Sequence, residues 1–202
     1  MIRSKTAPRG QSMIEGMLAM TIIITAVSSS LALVQSSIVA SRVSGSQVVA
    51  ANLAREGIEV VRAMRDSNWL AGQSFQAGLT DPASKIARPG LDPATATWSL
   101  SFGNWTVDSP EAQLRLAPTG LFVRPEDAPS GSTQTLYSRI VEIDLICRNQ
   151  GTGVERSEAG AGTTCTSAET LVGLDLRSMV RYVSVAGSHE TVTLEERLYD
   201  WR

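Results

Sequence analysis

The side chains that could carry out catalysis or bind a metal are few in this chain of 202 residues. It has one histidine, His189, and two cysteines, Cys147 and Cys165, which are too few for a zinc site of the usual Cys/His type. His189 lies at the tip of a predicted hairpin, and no G-x-S-x-G stretch that could supply a nucleophile accompanies it. We therefore expect no enzyme active site, no metal and no cofactor.

The remaining candidates for chemistry are carboxylates and one glycine-rich stretch. Glu142 with Asp144, and Glu195 with Glu196, form acidic pairs on predicted strands, where solvated faces carry such pairs routinely. Asp144 and Asp175 are candidates for a calcium site, but no loop of spaced acids supports one. The stretch GTGVERSEAG lacks the lysine of a phosphate-binding loop. None of these patterns predicts a ligand.

The two cysteines have a structural interpretation. Cys147 ends a predicted strand, and Cys165 follows the glycine-rich loop 148–164. If this part of the chain lies outside the cytoplasm, we expect a disulfide that closes the loop and contributes ~3 kcal/mol on the loop-entropy model. Free thiols are the alternative in an organism without oxidative folding.

One carboxylate, Glu15, stands at the start of a long apolar segment, in the stretch PRGQSMIEGMLAM. Residues 16–41 carry no charge and would span roughly 39 Å as a helix, enough to cross a bilayer. Basic residues precede the segment, which predicts a single-pass membrane protein with its N-terminus inside and its C-terminal bulk outside. These basic residues are Arg3, Lys5 and Arg9. A secretory signal peptide cleaved near Ser28 is the alternative.

The order of these features resembles a known processing site. Arg9-Gly10-Gln11-Ser12-Met13-Ile14-Glu15 is similar to the cleavage segment of type IV prepilins and of type II secretion pseudopilins. The resemblance implies that a prepilin peptidase cuts between Gly10 and Gln11 and methylates Gln11 as the new N-terminus. It also implies that Glu15 pairs with the N-terminal amine of a neighbouring subunit during assembly. The implied partners are other pilin or pseudopilin subunits and an inner-membrane assembly platform.

The elements that position these residues begin with a long helix. No proline occurs between Pro8 and Pro82, so a helix is predicted from about residue 12 to residue 66. Its second half is amphipathic, because apolar residues recur there at spacings of three and four. They are Val49, Leu53, Gly57, Val60 and Met64, widened by Ile58 and Val61. Arg55 with Glu59, and Arg62 with Asp66, are spaced as i,i+4 ion pairs.

Beyond the helix, residues 67–96 are predicted to be irregular, and strand patterns follow. Strands are predicted at 97–102, 112–117, 120–124, 135–147, 171–187 and 189–201, with a hairpin turn at 186–188. The last strand is expected to dock into the sheet through Tyr199 and Trp201. A long helix packed on a small antiparallel sheet is an α+β fold. The predicted divisions are a basic leader 1–10, a transmembrane and assembly helix 11–41, an amphipathic helix 42–66 and a β-rich head 67–202.

The overall prediction is a structural subunit rather than an enzyme. The resemblance implies a minor pilin or pseudopilin that is held in the cytoplasmic membrane with its head outside and is then assembled into a filament. The net charge of −2 disfavours direct nucleic-acid binding. The alternative is a single-pass envelope protein whose extracytoplasmic head binds a ligand and forms no filament.

Overall fold

The computed structural model describes residues 11–92, 95, 97–158, 164–184 and 187–200, with the side chains of 11, 12 and 158 left out. The chain divides into two compact units, Met1–Ser44 and Gly45–Arg202. The first unit contributes the N-terminal part of the helix α1, which runs over Gln11–Leu70. The second unit contains the rest of α1 and, in its described residues, a sheet of eight strands.

The end of α1 lies four residues beyond the predicted one and is closed by a glycine. Gly72 has a positive φ of 68°, a conformation that favours glycine. The Gly72 amide donates to the carbonyl of Trp69 at 3.1 Å, and the Gln73 amide donates to the carbonyl of Asn68 at 2.8 Å. These two bonds form a Schellman motif, which satisfies carbonyls that the end of a helix otherwise leaves unpaired.

The sheet is antiparallel and is built around one long strand. Its strands are β1 Ile86–Asp92, β2 Thr97–Phe102, β3 Gln113–Leu116, β4 Phe122–Val123, β5 Thr133–Asn149, β6 Glu155–Glu158, β7 Glu169–Val183 and β8 His189–Tyr199. One edge of β5 pairs with β7, and β7 pairs in turn with β8. The other edge of β5 pairs with β3, β1 and β6 in succession. With the helix packed on this sheet, the predicted α+β fold is confirmed.

The helix and the sheet bury the faces that the sequence pattern predicted. Leu53, Gly57, Ile58, Val60 and Val61 of α1 are buried. The facing side chains share one parity on each strand: Val141 and Ile143 on β5, Leu174, Leu176 and Val180 on β7, and Leu198 on β8. These residues form two buried clusters, both of which lie between Ala50 and Leu198.

The prediction of an irregular segment at 67–96 was wrong, because β1 lies within it and contains Pro89. The Gly103 amide donates to the Ile86 carbonyl, so the backbone groups of Ile86 face β2. Because these groups alternate between the two edges of a strand, the nitrogen of Pro89 faces away from β2. On that other side, pairing with β5 ends at Ala87. Pro89 therefore removes no hydrogen bond from the ladder, and this is the condition under which a strand tolerates proline.

A second strand that the sequence did not predict, β6, lies within the glycine-rich loop 148–164. β6 pairs with the end of β5, from Leu145 opposite Glu158 to Arg148 opposite Glu155. Four residues of mixed charge give no alternating hydrophobic pattern, so the pattern alone did not predict this strand.

Candidate functional site

The segment expected to mediate assembly is the part of α1 in the first unit. All of its side chains from Met13 to Arg42 are exposed. The described residues contain one helix that is long and apolar enough to cross a membrane, and its most apolar window has a mean hydropathy of 2.2. Gln11 is helical and is the first described residue, whereas Gly10, on the other side of the predicted cleavage site, lies outside the described residues together with the rest of the leader.

Five of the hydroxyl groups within this segment donate to carbonyls of the helix itself. Thr21 donates to the carbonyl of Met17 at 2.7 Å, and Ser29 donates to the carbonyl of Thr25 at 2.7 Å. Thr25, Ser30 and Ser36 donate to carbonyls three or four residues earlier in the same way. Because each donor is paired within the helix, these side chains add little to the cost of an apolar environment.

Glu15 differs from these five hydroxyl groups. It is exposed, and among the described residues it has no hydrogen-bond or ion-pair partner. It is also the one acidic residue before Glu56. A carboxylate in an apolar setting costs a few kcal/mol on insertion scales unless it is neutralised or paired. The geometry therefore leaves Glu15 available to a partner outside the chain.

The predicted disulfide between Cys147 and Cys165 is confirmed. The two residues are separated by 18 positions, and their Cα atoms lie 5.5 Å apart. Cys147 is buried at the end of β5, opposite Leu171 at the start of β7. The disulfide thus holds the far end of the loop that contains β6 against the sheet.

An ion pair supports the same loop. The Arg156 guanidinium contacts both carboxylate oxygens of Glu169, at 2.5 and 2.6 Å. The Thr166 amide also donates to Glu169 at 2.9 Å. These donors, the guanidinium first, lower the pKa of Glu169 to about 2.

The structure places the other candidate residues in ion pairs or on the surface. Glu142 contacts Lys85 and accepts from Arg177 at 3.1 Å. Burial raises the pKa of Asp144, against the opposing effect of the Lys85 ammonium. Within the described residues, no group of three or more His, Cys, Asp or Glu side chains is arranged to hold a metal ion.

The structure does not bring together the three remaining candidates, Glu195, Glu196 and His189. Glu195 and Glu196 are adjacent in sequence but pair with different arginines, Arg177 and Arg62 respectively, because neighbouring strand residues face opposite sides of a sheet. His189 is exposed at the first residue of β8.

Two ion pairs that join α1 to the sheet were not predicted. Arg139, a buried residue of β5, donates to Glu56 at 2.9 Å and to the carbonyl of Leu53 at 3.2 Å. Arg62 contacts both Glu59 and Glu196. The sequence feature that could have indicated a buried Arg139 is its position on β5. It lies two residues from both Tyr137 and Val141, on the face that these side chains share.

The predicted pairing along the helix itself was wrong. Glu59 pairs with Arg62 rather than with Arg55, and Asp66 pairs with Arg65 at 2.9 Å rather than with Arg62. Arg65 also lies over the ring of Trp69, 4.4 Å from its centre. Arg62 is taken by Glu59, three residues earlier, and by Glu196 on the sheet, and Asp66 is taken by its neighbour Arg65.

Comparisons of the chain with protein-family models, with curated proteins and with solved structures return no match.

Proposed function

We propose that this chain is a structural subunit, a minor pilin or a pseudopilin, of a type IV pilus-like or type II secretion filament. One observation carries the proposal. The helix α1 exposes every side chain from Met13 to Arg42 and has in that stretch a single carboxylate, Glu15, four residues after the predicted new N-terminus Gln11. A prepilin peptidase would cut before Gln11 and methylate the new amine.

The role of Glu15 follows from electrostatics. In a low-dielectric environment a carboxylate is stabilised by a cation at contact distance far more than in water. The N-terminal amine that cleavage creates is such a cation, and in a neighbouring subunit it would reach Glu15 in one register only. The pair would therefore select the stagger at which two exposed helices associate.

The rest of the chain fits a head outside the cytoplasm. The basic leader favours an N-terminus inside, and the disulfide is typical of an oxidising compartment. Other pilin or pseudopilin subunits and the inner-membrane assembly platform are the partners that this proposal requires. The subunit would reside in the membrane as a single-pass protein and then enter the filament.

The experiment that tests the proposal is the intact mass and N-terminal sequence of the full chain, expressed together with its own peptidase. We expect a chain that begins at Gln11, with or without one added methyl group. Expression with a catalytically inactive peptidase is the control and should leave a chain that begins at Met1. A start at Met1 with the active peptidase, or a start near Ser28, would contradict the proposal.

A further inference from the structure

Lysine is nearly absent from the sequence of this chain. Of its 18 basic residues only Lys5, in the basic leader, and Lys85 are lysines, and all the others are arginines. An arginine side chain stays protonated, whereas a lysine can lose its proton and then attack a carbonyl carbon. Lys85 is therefore the one basic side chain after the leader that can act as a nucleophile.

The backbone around Lys85 holds this residue against β5. The carbonyl of Lys85, one residue before β1, accepts from the Ile143 amide at 2.9 Å. The hydroxyl of Ser84 accepts from the Ile86 amide at 3.1 Å and donates to the Gly103 carbonyl at 2.8 Å. The Lys85 side chain is 28% exposed and ends beside two carboxylates of β5. The position of this amine is thus fixed by the backbone as well as by its ion pairs.

The two carboxylates belong to Glu142 and Asp144, which share one face of β5 because they are two residues apart. Their side chains are only 10% and 13% exposed. The Lys85 ammonium contacts Glu142 and lies 3.6 Å from Oδ1 of Asp144. That oxygen is buried and has no hydrogen-bond partner among the described residues. An amine, a carboxyl group and a second carboxylate are thus within reach of one another, near the separation of about 3–3.5 Å from which bonds form.

The surroundings of Asp144 favour its neutral form. Burial raises the pKa of Asp144, and the nearby charge of Glu142 acts in the same direction, against the opposing effect of the Lys85 ammonium. On β7, Asp175 lies directly opposite Asp144, and like charges in that position destabilise a sheet. A reaction that removes the charge of Asp144 would relieve this repulsion.

The two acids that remain after such a reaction each keep a cation. Glu142 accepts from Arg177 at 3.1 Å. Asp175 lies 3.4 Å from Nε of Arg197. The loss of one ammonium and one carboxylate therefore leaves neither of these carboxylates unpaired on this face of the sheet.

We propose that Lys85 and Asp144 form an intramolecular isopeptide bond. The bond joins Nζ of Lys85 to Cγ of Asp144, and Glu142 acts as the general base and then the general acid. Glu142 takes two protons from the ammonium in turn and passes them to one carboxyl oxygen of Asp144, whose C–O bond breaks as the C–N bond forms. One ammonium and one carboxylate thus give one amide and one water molecule, and the step needs no oxidant.

The fixed geometry is what makes this condensation feasible. Well-oriented intramolecular reactions reach effective molarities on the order of 10⁵–10⁸ M, so a held amine and carboxyl group react far faster than free ones. The bond ties the residue before β1 to β5 and constrains the unfolded chain as a disulfide does, but it persists under reducing conditions. The inference does not depend on the proposed function.

The first test is the intact mass of the full chain after denaturation and reduction. We expect a mass lower by one water molecule than that of the unmodified chain, whichever N-terminus the chain has. Lys85→Arg keeps the charge but cannot react, and Asp144→Ala removes the carboxyl group, so both variants should have the full mass. A wild-type chain of full mass would overturn the inference. A loss of water that persists in Lys85→Arg would also overturn it, because that loss would arise at another group, such as a succinimide.

The second test locates the bond and examines the role of Glu142. A lysine-specific protease should not cut after Lys85 in the wild-type chain, and tandem mass spectrometry should find a peptide in which Lys85 is joined to Asp144. In newly synthesised chain, Glu142→Gln should slow the loss of water about 100-fold, within the range of general acid–base catalysis. Glu195→Gln is the matched control, because it removes another carboxylate paired with Arg177, and it should leave the rate unchanged. Cleavage after Lys85, or an unchanged rate in Glu142→Gln, would contradict the proposed reaction.

Discussion

Glu15 is the residue on which the proposed assembly depends. Glu15→Ala should leave membrane insertion and cleavage before Gln11 unchanged, because the basic leader and the apolar segment are intact. We expect incorporation into filaments to fall at least tenfold, since removing one partner of a buried ion pair costs about 3 kcal/mol and ~1.4 kcal/mol already corresponds to tenfold. The measurement is the ratio of processed chain in filaments to processed chain in membranes.

The matched variant is Glu15→Gln, which keeps the shape and one hydrogen-bond acceptor but removes the charge. We expect it to be impaired as well, though less than Glu15→Ala. Normal incorporation of Glu15→Ala would remove the assembly role assigned to this carboxylate.

Glu169 makes a separate prediction about acid. Its pKa is lowered in the folded chain from 4.5 to about 2, chiefly by the Arg156 guanidinium. The stabilisation is therefore complete above about pH 4.5 and is lost as the pH falls toward 2. Glu169→Gln should lower the melting temperature at pH 7, and the difference from wild type should shrink through this window.

The control for the acid experiment is Glu195→Gln, which breaks an exposed pair with Arg177. Exposed pairs contribute little, so its effect at pH 7 should be smaller. A difference between Glu169→Gln and wild type that is the same at pH 7 and at pH 2 would show that the ion pair is not its cause.

At the scale of elements, α1 lies close against the sheet at Gly57. A Cβ atom there would lie 2.6 Å from Ser178 Oγ and 3.1 Å from Val141 Cγ2. Gly57→Ala should therefore destabilise the head by about 1–3 kcal/mol, although alanine is the better helix former. The measurement is the thermal unfolding of the full chain in detergent.

A double-mutant cycle separates this clash from other effects of the substitution. Ser178 Oγ is buried without a hydrogen-bond partner, so Ser178→Ala alone should be neutral or stabilising. The same change removes the nearest atom to the new Cβ, so the double variant should recover part of the lost stability. Strictly additive effects would contradict the close contact.

The elements that the sequence predicted are those with a local signal. Strands were predicted at 135–147, 171–187 and 189–201, where β5, β7 and β8 lie, and the apolar spacing of α1 specified the face toward the sheet. β1 was not predicted because its tolerance of Pro89 depends on where pairing with β5 ends. Gly90, next to it, lies under the guanidinium of Arg124, which is held by Asp127 and Ser101. Contacts of this kind between distant residues leave no periodic pattern.

The candidate assembly segment could also be proposed from the sequence, because its signal is local. Its signal is a linear order of basic leader, Gly10, Glu15 and apolar helix, and the exposed helix requires no distant contact. The ion pairs Arg139–Glu56 and Arg62–Glu196 join residues more than 80 positions apart, so only the fold shows them. Trp201, expected to anchor the last strand, lies outside the described residues, whereas Tyr199 donates to Glu155 at 3.0 Å.

At the scale of the whole molecule, the buried clusters and the exposed apolar part of α1 belong to different parts of the chain. Both buried clusters and the disulfide lie within Gly45–Arg202, and the exposed apolar residues of Met1–Ser44 contribute to neither cluster. The head should therefore not need the membrane helix to fold, and the membrane helix should not need the head to insert.

A chain that begins at Gly45 tests this division. We expect it to be soluble without detergent and to unfold cooperatively, with a melting temperature within about 4 °C of that of the full chain, which corresponds to about 1 kcal/mol for a domain of this size. The full chain should require detergent, because its exposed apolar helix would otherwise associate. Aggregation of the shortened chain, or loss of its cooperative transition, would show that residues before Gly45 stabilise the head. In that case the N-terminal helix would have a second role, in folding as well as in assembly.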